Sequence, residues 1–252
     1  MPLYALLLEY DGAGFVGWQR QDTPRPSVQQ VLEEAAARLN GGIPPVSVVA
    51  GRTDSGVHAA GQVAQLSLPP MDPTRLREAL NFHLKPHAVA VLRASLAPAG
   101  WNARFSATFR RYRYTILNRR ARPALRHGQV WHVPHTLDPA AMREAATLLL
   151  GRHDFTSFRA AACQATSPLR TLDRLEITPD GELLVIEAQA RSFLHHQVRN
   201  MVGTLRLVGD GSWPPERVAT ALAARNRSAA GPTAPPQGLC LEEVGYEPSP
   251  FI

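Results

Sequence analysis

Cysteine is nearly missing from this chain of 252 residues: Cys163 and Cys240 are the only two, far apart and without paired spacing. That excludes a disulfide framework and a cysteine zinc site. Lysine is scarcer still, with Lys85 alone, so the positive charge is carried by arginine. No run is long and apolar enough to span a bilayer. The opening Met1-Pro2-Leu3-Tyr4 lacks the basic start of a signal peptide, so the chain reads as a soluble cytoplasmic protein. Acid is absent from one long window: no Asp or Glu occurs between Ala79 and Leu137.

What fills that window is Arg93, Arg104, Arg110, Arg111, Arg113, Arg119, Arg120, Arg122 and Arg126, with Trp101, Phe105, Phe109, Tyr112 and Tyr114 between them. The net charge is +6 and the isoelectric point about 10.0. A basic balance favours a polyanionic partner. Arginine interleaved with aromatics suits RNA in particular, where phosphates give affinity and unstacked bases lie on aromatic faces. A solvated strand face over core aromatics is the bland alternative.

The first half reads as strand, helix, strand, strand, helix, strand. Residues 3–10 form an apolar strand. Ser27 is placed as an N-cap with Gln30 closing a capping box, and Val28, Val31, Leu32, Ala35 and Leu39 make one apolar face. Gly41 stands where a helix-ending glycine belongs. Strands are expected at 46–50, 63–68 and 89–94, with a helix at 74–84 opened by Asp72-Pro73. The second half repeats the order with insertions. A strand is expected at 112–117 and a helix from Asp138-Pro139 to Leu150, ending at Gly151. Strands at 172–178 and 183–190 flank Pro179-Asp180-Gly181, read as the hairpin turn. Helices at 193–208 and 216–225 and a closing strand at 241–246 follow, with 229–236 a Pro/Gly-rich loop. The fold class is α+β: two ferredoxin-like β-α-β-β-α-β halves joined in a mostly antiparallel sheet with flanking helices. The halves are placed at 1–98, carrying the Asp54 loop, and 99–252, carrying Tyr112, Arg199 and an RNA-binding surface.

The most informative stretch is Gly51-Arg52-Thr53-Asp54-Ser55-Gly56-Val57-His58-Ala59, one carboxylate on a glycine-bounded loop after a short apolar strand. An ionised, oriented Asp serves as a nucleophile or a base. A polar turn with Asp as a local cap is the other reading. His58 is read as a structural hydrogen-bonding residue, and Asp11 and Gln19 as loop anchors. His195-His196 suggests a metal pair by type. Adjacent residues on a helix do not face one side, so a metal reading is poor. Gly12-Ala13-Gly14 lacks the pattern of a nucleotide loop.

Four segments taken together carry a resemblance. They are Glu9-Tyr10-Asp11-Gly12-Ala13-Gly14-Phe15-Val16-Gly17-Trp18-Gln19; the Asp54 loop; Arg104-Phe105-Ser106-Ala107 with Arg111-Tyr112-Arg113-Tyr114; and Phe193-Leu194-His195-His196-Gln197-Val198-Arg199-Asn200-Met201-Val202-Gly203. In this order they resemble the tRNA pseudouridine synthases of the TruA type, over nearly the whole chain. The resemblance implies the pseudouridine synthase fold and conversion of uridine to pseudouridine at positions 38 to 40 of the tRNA anticodon arm. It implies a homodimer with no metal or organic cofactor. It implies Asp54 as nucleophile, Tyr112 stacking on the target uracil and Arg199 as the cation paired with the aspartate. It implies that Arg52 takes the place of the flipped base; with Arg104, Arg110, Arg111 and Arg113 of the basic window, Arg52 is expected on the RNA. Ser55 stands where many relatives have alanine, and Cys240 where an aromatic is common. A catalytically inactive RNA-binding protein on the same scaffold is the alternative. A glycosidase reading fails on its missing second carboxylate.

Overall fold

A computed structural model describes residues 1–251. The chain forms two compact units, Met1–Arg110 together with the segment from Cys240 onward, and Arg111–Leu239. The division falls inside one continuous strand, β5 (Ala107–Asn118), which carries the chain from the first unit into the second. It therefore lies beyond the 98/99 boundary read from the sequence.

The first unit contains β1 (Leu3–Tyr10), α1 (Val28–Ala37), β2 (Val48–Val49), β3 (His58–Ser67), α2 (Pro73–Leu84) and β4 (Val89–Leu96), in the expected β-α-β-β-α-β order. Its strand order is β4-β1-β3-β10, where β10 is Leu239–Tyr246, and β2 pairs β3. Pairs β1/β3 and β1/β4 are antiparallel, while β10 joins β3 in parallel. On β1 the side chains Tyr4, Leu6, Leu8 and Tyr10 are all buried on one face, while on the other Ala5 is buried and Glu9 exposed.

Ser27 caps α1 by accepting the Gln30 N–H at 3.1 Å. The capping box is not reciprocal, because the Gln30 side chain donates to Glu34 instead, at 3.0 Å. Glu33 lies buried on α1, an unusual place for a carboxylate. It is satisfied there by the N–H and hydroxyl of Ser47, each at 2.9 Å, and by Gln29 at 3.0 Å. These bonds tie the segment entering β2, and so the start of the Asp54 loop, to the helix.

The second unit contains the rest of β5, then β6 (Trp131–Val133), α3 (Pro139–Thr147), β7 (Gly151–Asp154), β8 (Leu169–Asp180), β9 (Leu183–Ala190), α4 (Gln197–Gly209) and α5 (Arg217–Ala223). Its strand order is β5-β9-β8-β7, with β6 parallel to β5. α3 packs on β8 and on α4. Buried Met142, Ala145, Ala146, Met201, Val202 and Leu205 supply those helix faces.

The sequence reading departs from the structure at identifiable points. The closing strand β10 belongs to the first unit, pairing Cys240 with His58, rather than completing the second half. β6 and β7 are too short to leave a periodic signal. Gly151 does not end α3; it opens β7 with φ +91°, after the helix has closed at Thr147. The β8–β9 turn is Gly181-Glu182, not Pro179-Asp180-Gly181: Asp180 pairs Leu183, and Gly181 takes the positive φ of +58° that a two-residue hairpin needs. The helix expected from 193 starts at Gln197, because His196 adopts a left-handed φ of 62° and the Leu194 N–H is taken by the Gln197 side chain at 2.9 Å. Among the described residues no helix is long and apolar enough to cross a membrane.

Candidate active site

Asp54 sits between β2 and β3, on a loop whose backbone carbonyls at Gly51, Thr53 and Asp54 are each hydrogen-bonded. The Val57 N–H donates to the Asp54 carbonyl at 3.1 Å, closing a tight turn. Gly56 within it has φ +77°, which is why a glycine stands there. The Trp18 N–H donates to the Thr53 carbonyl at 3.0 Å. The Ser55 hydroxyl donates to the Phe15 carbonyl at 3.2 Å, and Arg25 reaches that hydroxyl at 3.4 Å. Asp54 is half-buried, flanked by exposed Arg52 and Ser55 and buried Thr53.

The glycine-rich segment after β1 exists to hold this loop. A β-carbon on Gly12 would fall 2.1 Å from the Val57 carbonyl oxygen, and one on Gly17 2.6 Å from that of Thr53. Asp11 accepts the Ala13 N–H at 2.9 Å and caps the short turn that carries Gly12. Gln19 donates to Gln29 of α1 at 2.8 Å. Both are loop anchors. His58 is likewise built in, with its Nδ1 accepting the Gly12 N–H at 3.1 Å.

Beneath the loop runs a polar network that the sequence reading missed. Tyr10 Oη and Thr53 Oγ1 are 2.8 Å apart, and Gln62 Nε2 donates both to Tyr10, at 3.2 Å, and to the Gly51 carbonyl, at 2.7 Å. Burial pushes the Tyr10 phenol well above the tyrosine range, against the lowering effect of its Thr53 and Gln62 bonds, so it stays neutral and keeps its proton. The available signal was Gln62 itself, an amide in the middle of an apolar strand, which has to find partners.

Arg110 also serves this loop. It is only 7% exposed, and its guanidinium donates to the carbonyls of Ala50, at 2.6 Å, and Arg104, at 2.7 Å. That placement differs from the exposed phosphate contact expected of it. Arg104 is exposed, with its guanidinium 5.4 Å from the centre of the Phe105 ring.

In the second unit Tyr112 is buried on β5, with its ring edge-on to Phe193 at 5.3 Å between centroids. Arg111 beside it is half-buried, and exposed Arg113 pairs with Glu187 at 3.5 Å. Arg199 is on the first turn of α4. Its Nε donates to the Ala234 carbonyl at 2.8 Å, and the Ala234 N–H returns to the Arg199 carbonyl at 3.1 Å. These two bonds fix the Arg199 guanidinium against the loop that carries Ala234. Gly203 lets that loop lie on the helix, since a β-carbon there would meet the Pro232 carbonyl oxygen at 1.8 Å. Burial raises the phenol of neighbouring Tyr114, and the Arg199 charge works against this. His195 and His196 precede α4 rather than lying on it, and their rings are 4.0 Å apart. The helical argument against a metal pair thus does not apply to them.

The structure thus presents one carboxylate on a loop held by a buried polar network, in an α+β chain whose β5 strand alternates arginine with tyrosine. Comparison with known proteins gives the family. The family model described as tRNA pseudouridine synthase matches residues 7–106 and 145–247. A tRNA pseudouridine synthase A of Acidiphilium cryptum is 70% identical over 253 residues, covering 100% of this chain and 99% of the relative. Those of Gluconobacter oxydans and Rhodospirillum centenum are 55% and 57% identical, covering 98% of this chain each and 91% and 100% of the relatives. The chain belongs to the tRNA pseudouridine synthase family.

Proposed function

We propose that this chain isomerises uridine to pseudouridine at one or more of positions 38, 39 and 40 of the tRNA anticodon arm, with Asp54 as the nucleophile. Membership of the family supports an isomerase acting on tRNA. The observation that carries the residue assignment is the Asp54 loop: one carboxylate on a backbone fixed from both sides, as a reacting group must be held.

In this reading the reaction breaks the bond from ribose C1′ to N1 of the uracil and forms one from C1′ to C5. The C5 proton departs, N1 gains a proton, and nothing is oxidised or reduced. No cofactor or metal is required. The Asp54 carboxylate attacks either C1′ or C6. Arg199 supplies the positive charge that favours its ionised form. Tyr112 offers its ring to the target base, and its phenol or a water takes the C5 proton. The base has to leave its stack, at a cost of a few kcal/mol. Arg52 fills the gap left behind. Arg104, Arg111 and Arg113 hold phosphates, whereas Arg110 acts through the loop it supports. The enzyme works in the cytoplasm as a homodimer.

Tritium release from tRNA carrying 5-tritiated uridine tests the reading, with wild type and Asp54→Asn side by side. Release by wild type and none by Asp54→Asn, with tRNA still bound, is the expected result. Turnover by Asp54→Asn near the wild-type rate would remove Asp54 as nucleophile. Mapping the product on transcripts lacking each uridine in turn tests the positions.

A further inference from the structure

The Asp54 loop is held by a hydrogen-bond relay whose direction can be worked out from its own donors. Gln62 is 0% exposed, and its Nε2 has two protons. One goes to the Gly51 carbonyl at 2.7 Å and the other to Tyr10 Oη at 3.2 Å, so both are committed. Tyr10 Oη therefore accepts from Gln62. Its own proton is directed to Thr53 Oγ1 at 2.8 Å, the remaining close partner. The relay runs Gln62 to Tyr10 to Thr53, from the core strand β3 through β1 into the residue preceding Asp54. Tyr10 is 4% exposed and Thr53 7%, so water does not compete for these bonds.

We propose that Tyr10 and Gln62 are positioning residues of the isomerase, setting the backbone of Asp54 through Thr53 and Gly51. The loop is pinned on its entering side by Gln62 at Gly51, at its centre by Tyr10 on the Thr53 side chain and by Trp18 on the Thr53 carbonyl, and on its leaving side by Val57. The two bonds from the relay come from buried side chains whose geometry β1 and β3 dictate. The effect on rate follows from the reaction's geometry: misplacing a reacting group by about 1 Å costs on the order of a hundredfold in rate. The inference rests on the reading of Asp54 as nucleophile.

The test compares Tyr10→Phe, Thr53→Val and Thr53→Ser with wild type and Asp54→Asn. It measures the single-turnover rate of tritium release at saturating enzyme, the Kd for tRNA and the thermal midpoint. Tyr10→Phe and Thr53→Val should each slow release by about tenfold or more, with Kd for tRNA unchanged. Thr53→Ser, which keeps the hydroxyl, should recover most of the rate. Thr53→Val differs from the parent by one buried atom and keeps the comparison meaningful if Tyr10→Phe unfolds. Wild-type release rates in the folded Thr53→Val protein overturn the proposal, as does a loss confined to tRNA affinity. Wild-type release by Asp54→Asn instead sinks the nucleophile assignment, whatever Tyr10 and Thr53 do.

Discussion

Gly17 lies directly against the carbonyl of Thr53, where a β-carbon would come within 2.6 Å of the oxygen, and its φ of +104° is one that L side chains avoid. Gly17→Ala must therefore both strain its own backbone and push the loop carrying Asp54. Strain of this kind costs about 1–3 kcal/mol. Urea unfolding should show a loss of that size, and tritium release should fall further than stability alone explains. Gly14→Ala, with nothing within 4 Å of its would-be β-carbon, is the matched control and should be close to neutral in both measurements.

The arginines around β5 divide into two groups that salt titration can separate. Arg104 and Arg113 are exposed, and the Arg113 guanidinium pairs with Glu187 at 3.5 Å. Arg110 is buried on two carbonyls. Arg104→Glu with Arg113→Glu should weaken tRNA binding and flatten its log–log salt dependence, by roughly 0.7–0.9 for each phosphate left unneutralised. Arg110→Ala should leave that slope unchanged and cost about 1.5–3 kcal/mol of stability, because charged hydrogen bonds to the carbonyls of buried Ala50 and of Arg104 disappear. An Arg110→Ala slope as flat as that of the double variant would return Arg110 to the RNA footprint.

The same residue shows where the sequence stops being informative. Composition and spacing mark Arg110 as one of a basic group, but its neighbours in the chain say nothing of Ala50, sixty residues away. Local signals are legible where local physics decides: the Ser27 cap, the apolar β1 and the first half's element order. The Asp54 loop and the segment from Glu9 to Gln19 stand out as a set, yet Gly12 and Gly17 owe their identity to backbone approaches that only the fold reveals. The same holds for β10, whose apolar pattern cannot state that its partner is β3. Periodicity puts His196 in a helix, and a single left-handed residue with a side-chain bond to Leu194 moves the helix start.

Two carboxylates in the second unit give a sign to its acid stability. Burial acts to raise the carboxyl of Asp210, but its bonds to Ser212 and the charges of Arg206 and His135 outweigh this and hold it below the usual range. Asp154 is similar: burial raises it, and Thr156, Arg225 and Arg159 bring it lower. A carboxyl depressed in the folded state contributes stability that is present above its unfolded pKa, about 3.9, and is lost as pH falls through the folded value. The unfolding free energy should therefore drop as pH falls below about 4. Asp210→Asn and Asp154→Asn should each lower stability at neutral pH and make the acid limb shallower. Urea midpoints measured from pH 7 to pH 3 check both, and an acid limb unchanged in the double variant would count against the assignment.

Arg227 governs the loop that fixes Arg199. Its guanidinium donates to the Gly231 carbonyl at 2.9 Å, to Asn200 Oδ1 at 3.1 Å and to Thr233 Oγ1 at 3.1 Å, and Thr233 in turn donates to Asn200 at 2.7 Å. One side chain thereby ties residues 231 and 233 to α4, just before Ala234 clamps Arg199. Arg227→Met removes the fork and leaves those acceptors short of donors, for an expected loss of about 1.5–3 kcal/mol. Arg227→Lys should not restore it, since an ammonium cannot reproduce a planar fork with several fixed donors. The loop from 230 to 235 should become the preferred site of limited proteolysis. Turnover should fall with tRNA affinity largely kept, because the arginines proposed to hold phosphates are untouched. Full activity in Arg227→Met, with the loop still protected from protease, would show that the backbone of the loop alone positions Arg199.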